Sequence, residues 1–132
     1  MKTNLADKWF SRYIRLRDAN NQGIAKCCTC DTYNFVKKMD CGHYIKRQHQ
    51  AARYNVHNCS TQCKRCNNFE QGNDTKFRQH LVDMYGENKV LLVESSKRTT
   101  VKRSANDMKL LADHYKELTM EMLKIKGVVK WW

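Results

Sequence analysis

The chain has 132 residues, 25 Lys+Arg against 13 Asp+Glu, and a formal net charge of +12. That length excludes a large multidomain enzyme, and a core of this size usually needs a staple such as a metal, a disulfide or oligomerisation. The charge calls for a polyanionic partner; no stretch approaches 18 apolar residues and the basic residues are spread along the chain, so nucleic acid is favoured over a membrane surface.

Taken in chain order, Leu5, Trp9, Tyr13 and Leu16 recur at helical spacing and predict a helix over Asn4–Asp18. Asn4 with Asp7 can cap it, and Asn20, Asn21 and Gly23 end it. The segment Met1–Phe10 has no apolar run of the kind a secretory signal needs, so an intracellular protein is expected. From Ile24 to about Cys66, cysteines, short apolar runs and polar loops replace helical periodicity, as in a small metal-organised core. Asp74–Tyr85 reads as a helix with Phe77, Leu81 and Met84 on its apolar face, Asp74 as N-cap and Gly86 just past its end. Val90–Val93 fits either a strand or a short buried helix, and a helix is the expectation.

The basic connector Lys97–Arg103 leads to a long last helix. Ser104 with Asp107 caps it, and Met108, Leu111, Tyr115, Leu118, Met122 and Ile125 form a heptad-like seam before Gly127. The seam suits a homodimer contact and packing on its own domain equally well. The expectation is one α+β domain in three parts: an N-terminal helix (1–23), a metal-bound core with following helices (24–96), and the connector with its helix (97–132).

Seven cysteines in an intracellular chain argue against disulfides and for metal ligation. Cys27 and Cys30 form one C-x-x-C pair, and Cys63 and Cys66 form another. Each tight turn presents two thiolates, and together they make a four-thiolate Zn²⁺ site that is structural, because no position stays open for substrate. Cys27 is preferred to Cys28, which would shorten the first motif to C-x-C. Cys41 and Cys59 read as small buried hydrophobes, with a second zinc site including His49 or His57 as the minor alternative.

Between the cysteine pairs lie His43, Asn58 and, directly after Cys66, Asn67. A ββα unit closed by zinc sets the end of its first strand beside the first turn of its helix, so His43 and Asn67 are expected to share a cleft. Histidine there suits a general base, and an Asn oxygen suits a hard cation such as Mg²⁺ or Mn²⁺.

This arrangement resembles the HNH, or His-Me finger, endonucleases built on a treble-clef zinc site, and more closely the phage lambda NinG (Rap) family of recombination nucleases. The resemblance rests on Trp9–Asp18, the Cys27/Cys30 knuckle, Gly42–Arg47, Arg53–Asn55, Gln62–Asn67 and Gly72-Asn73. It implies a ββα-metal core with flanking helices. The activity it implies is metal-dependent cleavage of branched recombination intermediates such as Holliday junctions and D-loops, in the cytoplasm of a phage's bacterial host and alongside phage or host recombination proteins. By motif position, His43 is the general base, Asn58 holds the histidine-bearing loop, and Asn67 is a ligand to the catalytic ion. Many HNH nucleases carry Asp directly before that His; here the position is Gly42, which leaves Asp40 as the candidate second ligand.

The basic residues fall into three groups: Arg12/Arg15/Arg17, Lys46/Arg47/Arg53, and Lys97/Arg98/Lys102/Arg103. Each is a candidate phosphate grip, and none reads as a base-reading element. The alternative to an enzyme is a non-catalytic zinc-finger module that binds nucleic acid and recruits recombination proteins. A redox-active dithiol protein is a third reading, and unreactive zinc-bound thiols would exclude it.

Overall fold

The computed structural model describes residues 3–69 and 73–132. Gly72, part of one matching segment, lies outside the described residues.

The first helix, α1 (Leu5–Asp18), opens on the capping box expected of Asn4 and Asp7: the Asp7 amide donates to Asn4 Oδ1 at 2.8 Å and the Asn4 amide donates to Asp7 Oδ2 at 3.0 Å. Its buried stripe is not the expected one. Ala6, Phe10, Ile14 and Leu16 are buried, whereas Trp9 and Tyr13 are half-buried and Leu5 is exposed. The helix is covered on more than one side, so a single-faced reading mislocates its centre. Each fully buried Phe, Ile or Leu here stabilises the fold by roughly 1.5–3 kcal/mol.

Two antiparallel two-stranded sheets follow. Strand β1 (Ile24–Lys26) pairs with β2 (Tyr33–Phe35), and the cysteine knuckle forms the turn between them. Strand β3 (Met39–His43) pairs with β4 (Cys59–Cys63) in a register that sets Met39 opposite Cys63 and His43 opposite Cys59. The long connection between them carries the short helix α2 (Gln50–Arg53) and a 3₁₀ turn at Val56–Asn58. Directly after β4, Arg65–Phe69 makes a π-helical turn.

Helix α3 (Asp74–Tyr85) has the expected bounds, but its N-cap is Asn73, at φ 53°, and Asp74 is its first helical residue. Helix α4 (Glu87–Ser95) contains the Val90–Val93 run, with Val90 and Val93 buried. Phe77, Leu81 and Val90 form one core cluster. Gly42 of β3 faces that cluster: a Cβ there would collide with the Gln62 side chain and come within 2.9 Å of Phe77.

Helix α5 (Ala105–Lys126) has the Ser104/Asp107 capping box and ends at Gly127 in the left-handed conformation, φ 65°. It runs beside α1 in the same direction, since Thr119 reaches the Trp9 carbonyl while Lys126 reaches the end of α1. The Lys126 ammonium donates to the carbonyls of Leu16, Arg17 and Ala19 at 2.9, 2.7 and 2.5 Å, satisfying groups that a helix C-terminus leaves open. Met108, Leu111, Tyr115 and Leu118 pack on the α1 cluster and Met122 on Leu16 and Leu123, while Ile125 is exposed. The seam is therefore occupied within the chain, and a dimer through α5 would have to use its other face.

Arg53, expected among the DNA-facing cations, is buried instead. Its guanidinium grips Asp7 with two bonds, Nη2 to Oδ2 at 2.5 Å and Nε to Oδ1 at 2.9 Å, tying α2 to the start of α1. Burial works to raise the Asp7 pKa, but hydrogen bonds from Arg53 and the Asn4 amide overcome it and hold the carboxyl below its ordinary value. Removing one partner strands a buried charge. Arg53→Met is expected to cost about 3–5 kcal/mol in urea denaturation, and Asp7→Leu/Arg53→Met to recover most of that loss. Equal losses in the single and double variants would contradict this account.

Candidate metal centre and active-site cleft

The knuckle and the end of β4 bring Cys27, Cys30, Cys63 and Cys66 together, all four sulfurs lying within 4.8 Å of one another. Cys30 Sγ and Cys63 Sγ are 3.8 Å apart, and Cys27 and Cys66 are buried. The π-helical turn delivers Cys66 back toward Cys63, whose sulfur accepts the Cys66 amide at 3.5 Å. Burial raises the pKa of the Cys30 thiol, but Thr32 hydrogen bonds and the neighbouring thiols outweigh it and bring it to about 6; burial pushes Cys63 up to about 12. Such crowded sulfurs ionise together only around a cation, and a four-thiolate donor set fits tetrahedral Zn²⁺. Cys28 is not part of the cluster. Its amide donates to the Thr61 carbonyl, its side chain packs by Phe77 and Leu81, and burial pushes its thiol pKa far upward.

On the α1 side of the β3–β4 hairpin lies an open cleft of about 1040 Å³, whose walls include His43, Asp40 and Asn67. His43 Nε2 lies 2.9 Å from the Arg53 carbonyl. A carbonyl only accepts, so Nε2 carries the proton and Nδ1 holds the ring's lone pair. Burial lowers the His43 pKa to about 4, so the imidazole is neutral at pH 7. Asn67 donates from Nδ2 to Asp40 Oδ2 at 3.0 Å, and Lys64 reaches Asp40 Oδ1 at 2.8 Å. The structure thus brings the Asp40 carboxylate and the Asn67 carboxamide into contact and sets His43 on the same cleft. Asp at position 42 would not serve this cleft, because that position faces Gln62 and Phe77.

Asn58 is fully buried and does not line this cleft. Its Oδ1 accepts from the Ile45 amide at 2.7 Å, and its Nδ2 donates to the Ile45 and Ala52 carbonyls at 2.9 and 3.0 Å. These bonds fix the loop that follows His43.

Of the candidate phosphate grips, Arg12, Lys46 and Arg47 line the cleft. Arg12 sits between the rings of Trp9 and Trp132, 4.7 and 4.5 Å from their centroids. Lys46 pairs with Asp74 at 3.1 Å, and Arg47 lies 3.7 Å from Asp7. Arg15 also reaches the cleft, but Nη1 donates to the carbonyls of Val36 and Met39. Arg17 is committed to Asp18 and to the Val56 and Cys59 carbonyls. Lys97, Arg98 and Lys102 are exposed and do not line the cleft, while Arg103 donates to the Gln50 carbonyl and stacks over Tyr54.

Cys59 belongs to the core cluster of Phe10 and Ile14 and Cys41 packs on it, as expected of small hydrophobes, but the two also gather at His43. Cys59 is buried and Cys41 half-buried, and the ligand atoms of all three residues lie within 4.8 Å of one another. His57 instead packs edge-on against Tyr85 at 4.8 Å, and His49 precedes α2. The Cys41-x-His43 alternation on one strand was a usable signal. The arrival of Cys59 depends on strand register, which no local pattern reports.

Among the described residues no helix is long and apolar enough to cross a membrane. Searches of the curated proteins and of the solved structures gave no significant match. Residues 2–125 match the family described as Bacteriophage Lambda NinG protein, and the chain belongs to that family.

Proposed function

We propose that this protein is a metal-dependent DNA endonuclease of the HNH, or His-Me finger, type, acting on branched recombination intermediates such as Holliday junctions and D-loops. The observation that carries this reading is the His43 ring, neutral and tied at Nε2 to the Arg53 carbonyl, on a cleft shared with the Asp40–Asn67 pair and rimmed by Arg12, Lys46 and Arg47. In this reading the β3–β4 hairpin and the turn at Arg65–Phe69 form the ββα unit, and Zn²⁺ on the four cysteines is its treble-clef staple.

His43 accepts the proton of the attacking water at Nδ1 while the Arg53 carbonyl keeps the ring in that tautomer. Asn58 keeps the loop between His43 and Arg53 in place. Arg12, Lys46 and Arg47 hold the phosphodiester backbone without reading bases, which favours recognition by shape. Asp40 and Asn67 are oxygen donors suited to Mg²⁺ or Mn²⁺. When bound, that ion supplies polarisation of the phosphate and stabilisation of the leaving oxygen.

The test uses zinc-loaded protein with labelled four-way junction, D-loop, flap, duplex and single-stranded DNA, with and without added Mg²⁺ or Mn²⁺. Branched DNA is expected to be cut only with the added ion, and His43→Ala to slow cutting by about 10²–10⁴-fold with DNA affinity unchanged. DNA binding without cleavage under every condition would favour the non-catalytic zinc module, and undiminished cutting by His43→Ala would remove the general base from the account.

A further inference from the structure

We propose that Cys41, His43 and Cys59 form a second metal site, one that takes a thiophilic d¹⁰ cation of the Zn²⁺ class and, when filled, silences the His43 base. The site is separate from the four-cysteine centre and shares no residue with it. Strand register builds it: Cys41 and His43 lie two residues apart on the same side of β3, and Cys59 stands opposite His43 on β4. The three ligand atoms lie within 4.8 Å of one another, close enough for one ion to gather with small side-chain movements.

Three features favour a metal over incidental packing. Two thiols and an imidazole are the donor set of a soft or borderline cation, and they exclude Mg²⁺, which demands oxygen. The Arg53 carbonyl, 2.9 Å from Nε2, fixes the His43 tautomer in the way that outer-sphere acceptors fix metal-bound histidines, and so directs Nδ1 to the ion. Finally, Cys41 and His43 both line the cleft, so a cation can enter from solvent and keep its fourth position facing the cleft. Binding releases the two thiol protons to solvent and leaves the imidazole neutral.

The consequence for the nuclease rests on the function proposed above. Nδ1 has one lone pair, so His43 can hold this cation or accept a proton from water, but not both. The Asp40–Asn67 pair takes a hard ion on oxygen, and the thiol site takes a soft one. The protein would therefore discriminate between ions by ligand chemistry within a single cleft, working with Mg²⁺ or Mn²⁺ and stopping when zinc rises.

The test titrates Zn²⁺, and separately Co²⁺, into the 132-residue protein loaded with one equivalent at the four-cysteine centre. Wild-type protein is expected to take a second equivalent, seen with Co²⁺ as a further rise in thiolate-to-metal charge-transfer absorption. Cys59→Ala is expected to stop at one equivalent; Cys41→Ser repeats the measurement should the first variant fold poorly. On branched DNA with Mg²⁺, the second zinc equivalent is expected to slow wild-type cleavage by about 100-fold, while Cys59→Ala stays active. A single equivalent in wild-type protein, or two in both variants, overturns the site. Equal zinc inhibition of wild-type and Cys59→Ala overturns the silencing and assigns it to displacement of the hard ion. If no DNA is cut at all, the nuclease reading fails, while metal stoichiometry still decides the site.

Discussion

Removing zinc from the four-cysteine centre is expected to unfold the core of the protein. The reason lies in what the cysteines pack against. Cys27 and Cys66 are members of a core cluster with Ala19, Ala25, Val36 and Met39, and Cys30 and Cys63 pack on its edge. The apolar content of that cluster is slight, so metal–thiolate bonds at these four cysteines would supply what burial does not. Structural zinc contributes on the order of 10–16 kcal/mol in small domains, while a whole domain is stable by only about 5–15 kcal/mol. Loss of the ion therefore exceeds the margin. A strong chelator, or Cys66→Ser, is expected to abolish the cooperative thermal transition and expose the Trp131 environment, since Trp131 packs on the same cluster. Circular dichroism and tryptophan fluorescence, followed alongside zinc release, check this. A zinc-free protein that melts cooperatively at an unchanged temperature would show that the centre is not the staple.

The parts of this fold legible in the sequence were those whose signals are local. Both capping boxes, the bounds of α3 and the choice of Cys27 over Cys28 follow from side-chain chemistry within a few residues. The parts not legible depend on partners distant in sequence. Arg53 looked like one more surface cation until Asp7, on another element, proved to hold it in the interior. The stripe on α1 shifted from Leu5 to Ala6 because α5 and the β3–β4 hairpin both cover that helix, and a one-sided hydrophobic pattern cannot represent two coverings. Asn73 took the cap from Asp74 by adopting a left-handed conformation that Asn tolerates better than most residues. Gly42 is the most instructive case. Its motif position suggested a missing ligand, but the packing of Gln62 and Phe77 leaves no room for a side chain there, and Asp40 reaches the cleft from the far end of the strand.

Asn58→Ala is expected to destabilise the zinc-loaded protein by about 3–5 kcal/mol, although it alters no charge and does not line the His43 cleft. The side chain makes three hydrogen bonds in the interior, accepting one and donating two. Truncation strands the Ile45 amide and the Ile45 carbonyl, while the Ala52 carbonyl keeps the Asn55 amide, and each buried unsatisfied group costs about 1–3 kcal/mol unless water replaces the lost partner. The damage does not stay local. Ile45 and Ala52 bracket the loop that carries Lys46 and Arg47, and the next carbonyl but none, that of Arg53, holds His43 Nε2. A loosened loop therefore lets the His43 ring rotate and blurs which nitrogen carries its proton. Urea denaturation reads the stability loss directly. Exchange broadening of the His43 ring resonances, compared with those of His114 on α5, reads the loss of orientation. Asn58→Asp separates the two donated bonds from the accepted one, since it keeps an acceptor for the Ile45 amide and loses both donors; it is expected to be no more stable than the alanine variant, because it adds a buried charge facing two carbonyls. A stability loss under 1 kcal/mol with an unchanged His43 signal would mean that the loop is held from elsewhere, by the Asp7–Arg53 pair.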